Sequence, residues 1–135
     1  MRYVVPLSEI EEVIAYDVEQ RMDYFLARCI EGEEIWGLSS PDGWAINERD
    51  NQYMLPIWPY EQLATSCAGS EWKDYAADAI SLDHFINNTL LLMQEQNIMA
   101  ELMPVNEKAG KIISAKQLAA ILGSMVESGE YYMEG

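Results

Sequence analysis

Residues Glu34–Ile57 read EIWGLSSPDGWAINERDNQYMLPI, and this stretch decides the fold class. Three short runs, Glu34 to Ser39, Trp44 to Arg49 and Gln52 to Ile57, are rich in aromatic and branched residues and alternate in polarity. A period of two puts successive side chains on opposite faces of an extended chain. Between the runs stand Pro41-Asp42-Gly43 and Asp50-Asn51, both favourable to tight reversals. The stretch predicts a three-stranded antiparallel meander over residues 34–57.

On its N-terminal side the period changes to that of a helix. Ile10, Val13, Ile14, Val18, Met22, Phe25, Leu26 and Cys29 recur at threes and fours, which predicts one amphipathic helix over residues 8–31. Ser8 and Glu11 have capping-box spacing at its start, and Gly32 ends it. On the C-terminal side Pro59 suits the start of a short helix from Glu61 to Cys67, with Trp72 to Ala79 a loop leading to a brief strand at Ala79-Ile80. Together these make a helix-loop region over residues 59–80.

A further helix is predicted over residues 82–97. Ile98 to Met103 reads as a strand, with Lys111 to Ile113 able to pair back on it. Ser114 and Gln117 cap a last helix, so strand and helix fill residues 98–128 and a frayed tail covers 129–135. The class is α+β: a mostly antiparallel sheet, the meander plus one or two later strands, with about four helices packed on it.

The chain has 135 residues, against roughly 150 for a typical domain, and shows no linker or repeat, so a single domain over 1–135 is expected. Half of it is hydrophobic, enough for a core without metal or disulfide staples. Acidic residues number 23 and basic ones 8, a net charge of −15. Residues 1–34, 35–80 and 81–135 carry −6, −5 and −4, so the charge belongs to the whole surface and not to a tail. Such a field repels phosphate backbones and anionic lipid, which argues against nucleic-acid and membrane partners and favours a basic protein. No signal-peptide or membrane-span pattern occurs, and Cys29 and Cys67 lack metal-ligand spacing. A cytoplasmic chain with two free thiols is expected, although spacing alone leaves a single disulfide open.

Catalytic signals are sparse. The lone histidine, His84, has no second ligand nearby, and no phosphate-binding loop, dinucleotide fingerprint or zinc-protease string occurs. No cofactor or metal site is expected. The aromatic residues say more: Trp36, Trp44, Trp58, Tyr60, Trp72 and Tyr75 all fall between residues 36 and 75. Core packing accounts for some of them. Trp44, Trp58, Tyr60, Trp72 and Tyr75 are the candidate binding surface, because Trp and Tyr offer large contact area at low entropic cost.

Several of these residues form ordered motifs: Glu34-Ile35-Trp36-Gly37-Leu38, Asp42-Gly43-Trp44-Ala45, Pro56-Ile57-Trp58-Pro59, Glu71-Trp72 with Tyr75, and Ile80-Ser81-Leu82-Asp83-His84-Phe85. From about Met22 to Leu122 the chain resembles an uncharacterised bacterial family catalogued as domain of unknown function 2750. It departs from the family at Ala76 to Ala79, where a proline is expected. The resemblance implies a compact bacterial α+β domain with no established activity and no agreed catalytic residues. The order of strand, Trp-Pro and helix is also similar to the enhanced-serine-sensitivity type of α+β domain, a likeness of fold alone.

The functional expectation is a non-catalytic acidic binding or regulatory module that recognises a basic protein, in the manner of an immunity protein neutralising a basic toxin. Two alternatives stand beside it. One is a small-molecule-binding or self-associating domain; the other is a small hydrolase using Cys67 or a carboxylate with His84.

Overall fold

The structure, a computed structural model, describes residues 3–68, 72–105 and 108–128. Helix α1 spans Leu7–Ile14 and α2 spans Val18–Gly32. The single helix expected over residues 8–31 is thus two, and Asp17 is the reason. Its backbone is extended, its carboxylate accepts the Gln20 N–H, and the Gln20 side chain accepts the Asp17 N–H in return. That reciprocal box starts a new helix where the apolar period alone ran straight through. Nor does Ser8 cap α1: Pro6 is the N-cap, and its carbonyl accepts the Glu9 and Ile10 N–H groups.

The predicted strand region contains four strands, β1 Glu34–Ser40, β2 Gly43–Trp44, β3 Asn47–Arg49 and β4 Gln52–Ile57. They form two hairpins rather than one meander, because β1 pairs with β2 and β3 with β4, on different sheets. Ala45 still donates to the Leu38 carbonyl, but it is buried and takes the chain inward between the hairpins. Short helix α3, Glu61–Ser66, follows. Next comes β5, Ala76–Ser81, a full six-residue strand and not the loop expected up to Ala79. It pairs antiparallel with β1 from Glu34–Ser81 to Ser39–Ala76. Alanine is a poor strand former, yet an edge to pair with overrides so weak a preference.

The helix expected over residues 82–97 is present with a change of winding. It runs as α4, Leu82–His84, then a π-helical turn, Phe85–Thr89, then α5, Leu90–Gln96, ending at Asn97 in the left-handed conformation. Strand β6, Ile98–Leu102, lies parallel to β4, and β7, Lys111–Ile113, pairs antiparallel with β6 as expected. Helix α6, Ala115–Ser128, follows, with Ser114 accepting the Gln117 N–H. The tail predicted over 129–135 lies outside the described residues.

The fold is therefore α+β, with an antiparallel sheet ordered β2-β1-β5 and a mixed sheet ordered β3-β4-β6-β7. The two sheets meet where Trp36 and Trp58 exchange backbone hydrogen bonds of 2.7 and 2.8 Å. Pro56 sits between that bridge and the last β3–β4 pair, where a residue without an N–H leaves no donor stranded. Phe25, Cys29 and Ile30 of α2 and Leu118 and Leu122 of α6 are fully buried, one stripe from each helix. Helices α2 and α6 pack against each other and over β6, while α3 packs on β1 and β5.

Candidate functional site

A spacing of four residues places Tyr24 and Arg28 on one face of α2. Glu9 comes to them from α1, Tyr3 from the N-terminal segment and Tyr60 from the turn after β4. The Tyr3 and Tyr24 hydroxyls donate to the two oxygens of Glu9, and the Arg28 Nη1 stands 3.5 Å from Glu9 Oε2. The guanidinium lies 4.9 Å from the centre of the Tyr24 ring and 5.9 Å from that of Tyr3. Tyr3 and Tyr60 complete the cluster, with ring centres 5.0 Å apart.

The electrostatics of this cluster are self-consistent. Burial would raise the Glu9 carboxyl, but the Tyr24 and Tyr3 hydroxyls and the Arg28 charge outweigh it and hold it below the ordinary carboxylate range. Burial, then the Glu9 hydrogen bond and charge, push the Tyr24 hydroxyl far up. Burial likewise raises Tyr60. The phenols thus stay protonated and serve as donors and ring faces, not as bases.

Arg28, already paired, lies at the edge of a cleft of about 530 Å³. Its walls are aromatic, from Tyr3, Trp36 and Tyr60, and Glu31, Glu34 and Glu61 bring carboxylates to it. Among the described lining residues, the Glu31 and Glu61 carboxylates stand beside aromatic rings, a chemistry that suits a cation.

The five candidate tryptophans and tyrosines do not converge. Tyr60 lines the cleft. Trp44, 37% exposed, lines a second groove of about 410 Å³ together with His84. Trp72 and Tyr75, half-buried and 5.2 Å apart edge to face, line a third pocket beside Thr65 and Ala77. Trp58 is 0% exposed, and its indole N–H donates to the Pro104 carbonyl at 3.1 Å. It is a core residue and offers no surface, which corrects its selection as a groove anchor. Tyr3, Glu9, Tyr24 and Arg28 were missed; only the Tyr24–Arg28 spacing carried a signal for them.

Both cysteines are free and buried. Burial pushes the Cys67 thiol up to about 11, despite the opposing Arg21 charge, so it is not poised as a nucleophile. Among the described residues Cys67 does not line the groove that holds His84, and no three His, Cys, Asp or Glu side chains are arranged to hold a metal ion. Two buried polar clusters brace the chain around β6. Glu101 is 0% exposed and accepts from Asn47, Arg49 and the Gly110 N–H at 2.9, 2.7 and 2.9 Å. Arg21, also buried, donates to the Met103 and Ala109 carbonyls. Among the described residues no helix is long and apolar enough to cross a membrane.

No curated protein and no solved structure matches the chain. The model of the family described as protein of unknown function (DUF2750) matches residues 22–122, which take in most of α2, both sheets and over half of α6. Three-quarters of the sequence lies inside that match, and the chain belongs to this family.

Proposed function

We propose that this chain is a non-catalytic recognition module for a basic protein, taking a lysine or arginine side chain of its partner into the Tyr3–Trp36–Tyr60 cleft. One observation carries the reading: the 530 Å³ cleft joins aromatic walls to the Glu31 and Glu61 carboxylates. A cation over an aromatic face gains about 0.5–2 kcal/mol, depending on how far it is desolvated. The surrounding −15 charge adds steering, which speeds encounter with a basic surface and weakens with salt. Neutralisation of a basic toxin is one concrete form of such a role.

The test must separate the cleft from the diffuse charge around it. Titration calorimetry with a hexalysine peptide compares two double variants that remove the same charge. Glu31→Gln with Glu61→Gln removes two carboxylates from the cleft, whereas Glu11→Gln with Glu12→Gln removes two from an exposed stretch of α1 that does not line it. A loss of tenfold or more for the first pair and twofold or less for the second supports the proposal. Equal losses would mean only diffuse attraction and would refute it.

A further inference from the structure

The groove beside Trp44 has the opposite chemistry to the cleft. It lies between β2, β4 and the helix of residues 82–96, with Trp44, Leu55, Met93 and Ile98 among its apolar walls. Among its described lining residues none bears a carboxylate, although the chain holds 23 of them. Its polar members are Asn88, Thr89, Gln96 and His84. A largely apolar concavity of about 410 Å³ with a few convergent hydrogen-bonding groups has the size and make-up of a small-molecule site.

Two local features build this groove. Over the twelve residues from His84 to Gln96 a regular α-helix would leave the pair about 120° apart. The π-helical turn Phe85–Thr89 takes up one extra residue, removes about 100° of that drift and brings both side chains to one face. Opposite them, Gly37 seats the Trp44 indole: a Cβ there would come within 3.1 and 3.2 Å of the ring. The indole can therefore lie close to the β1 backbone and still present a face.

We infer that this groove binds an uncharged, mainly apolar small molecule carrying a ring. Its flat part packs on Trp44, and a neutral hydrogen-bonding end meets Asn88, Thr89 or Gln96. A cation finds no carboxylate among the described lining residues. A basic protein segment is drawn instead to the cleft.

The neutral probe N-phenyl-1-naphthylamine tests this on the full chain, because its fluorescence rises in apolar surroundings. Leu91 and Leu92 are neighbours of equal exposure, 52% and 53%, but only Leu92 lines the groove. Saturable binding of one probe per chain is expected, weakened at least tenfold by Leu92→Glu and less than twofold by Leu91→Glu. Circular dichroism checks that both variants fold. Absence of saturable binding, equal effects of the two substitutions, or no effect of Leu92→Glu each overturns the inference. So does light scattering that shows paired chains in the wild type and single chains in Leu92→Glu, since the occupant is then a second copy.

Discussion

Gly110→Ala puts one methyl group where the backbone leaves no room. A Cβ at Gly110 would stand 2.3 Å from the Leu102 carbonyl oxygen and 2.8 Å from both Leu102 C and Pro104 N. All three are main-chain atoms, so no side-chain rotation can relieve the clash. Restoring ordinary contact requires a shift of about 1 Å. A displacement of that size carries the Gly110 N–H out of range of Glu101, which accepts it at 2.9 Å and is itself fully buried. Overpacking of this kind costs about 1–3 kcal/mol, and a lost hydrogen bond to a charged group about 1.5–3 kcal/mol. The expected destabilisation is about 2.5–6 kcal/mol, a large share of the roughly 5–15 kcal/mol that holds a domain folded.

Gly123→Ala is the matched control. That residue sits inside α6 with nothing within 4 Å of its would-be Cβ, so alanine there gains about 0.5–1 kcal/mol from helix propensity. Urea unfolding followed by tryptophan fluorescence reads both variants, with unchanged slopes as the sign that stability alone has moved. Gly110→Ala within about 1 kcal/mol of wild type, or as mild as Gly123→Ala, would refute the steric reasoning.

Three further outcomes follow from other parts of the chain. Asp17→Ala costs about 0.5–2 kcal/mol through loss of the α2 cap, whereas Ser8→Ala, which removes no cap, stays within about 0.5 kcal/mol; urea midpoints compare them. Glu9 holds its carboxyl below the ordinary 4.5, so its contribution is complete above that pH and is lost as pH falls through the lowered folded value. Glu9→Gln should accordingly flatten the acid limb of thermal stability below pH 4.5, and an unchanged limb would count against the Glu9–Tyr24–Tyr3 network. Cys67 is raised from 9.0 to about 11, so below 9.0 both states keep the proton, while between the two values only the folded state does. Over that window the thiol subtracts up to about 1.4 kcal/mol per pH unit from stability, and Cys67→Ala should lessen the slope in stepped-pH urea titrations.

Helical stripes and turn residues were legible because each is a local signal. Phe25, Cys29, Leu118 and Leu122 announce buried faces through spacing alone, and Asn51 marks the hairpin between β3 and β4. The break between α1 and α2 was less legible, because the apolar stripe runs through it. Ser8–Glu11 has capping spacing but lies inside α1, whose extended N-cap is Pro6, and the working box, Asp17–Gln20, opens α2 instead. Strand β5 was least legible. Ala76 to Ala79 carry no strand signature of their own, and their conformation is set by β1, far away in sequence.

Residue type also misled where it was most tempting. A tryptophan is as useful to a core as to a surface, and the choice turns on whether its indole N–H finds a partner inside. For Trp58 the Pro104 carbonyl provides one, so complete burial strands no polar group. Trp44 has Gly37 beneath its ring and remains open on the other side. Neither Pro104 nor Gly37 can be connected to its tryptophan without the fold. The same holds for the charge. On a surface with acids in every third of the chain, a carboxylate by itself distinguishes nothing. What distinguishes a place is its departure from that background: Glu31 and Glu61, from two separate parts of the chain, beside aromatic walls at one site, and no carboxylate among the described lining residues at the other. Those two departures predict opposite ligand charges. A probe that bound cleft and groove alike would show that neither departure governs recognition.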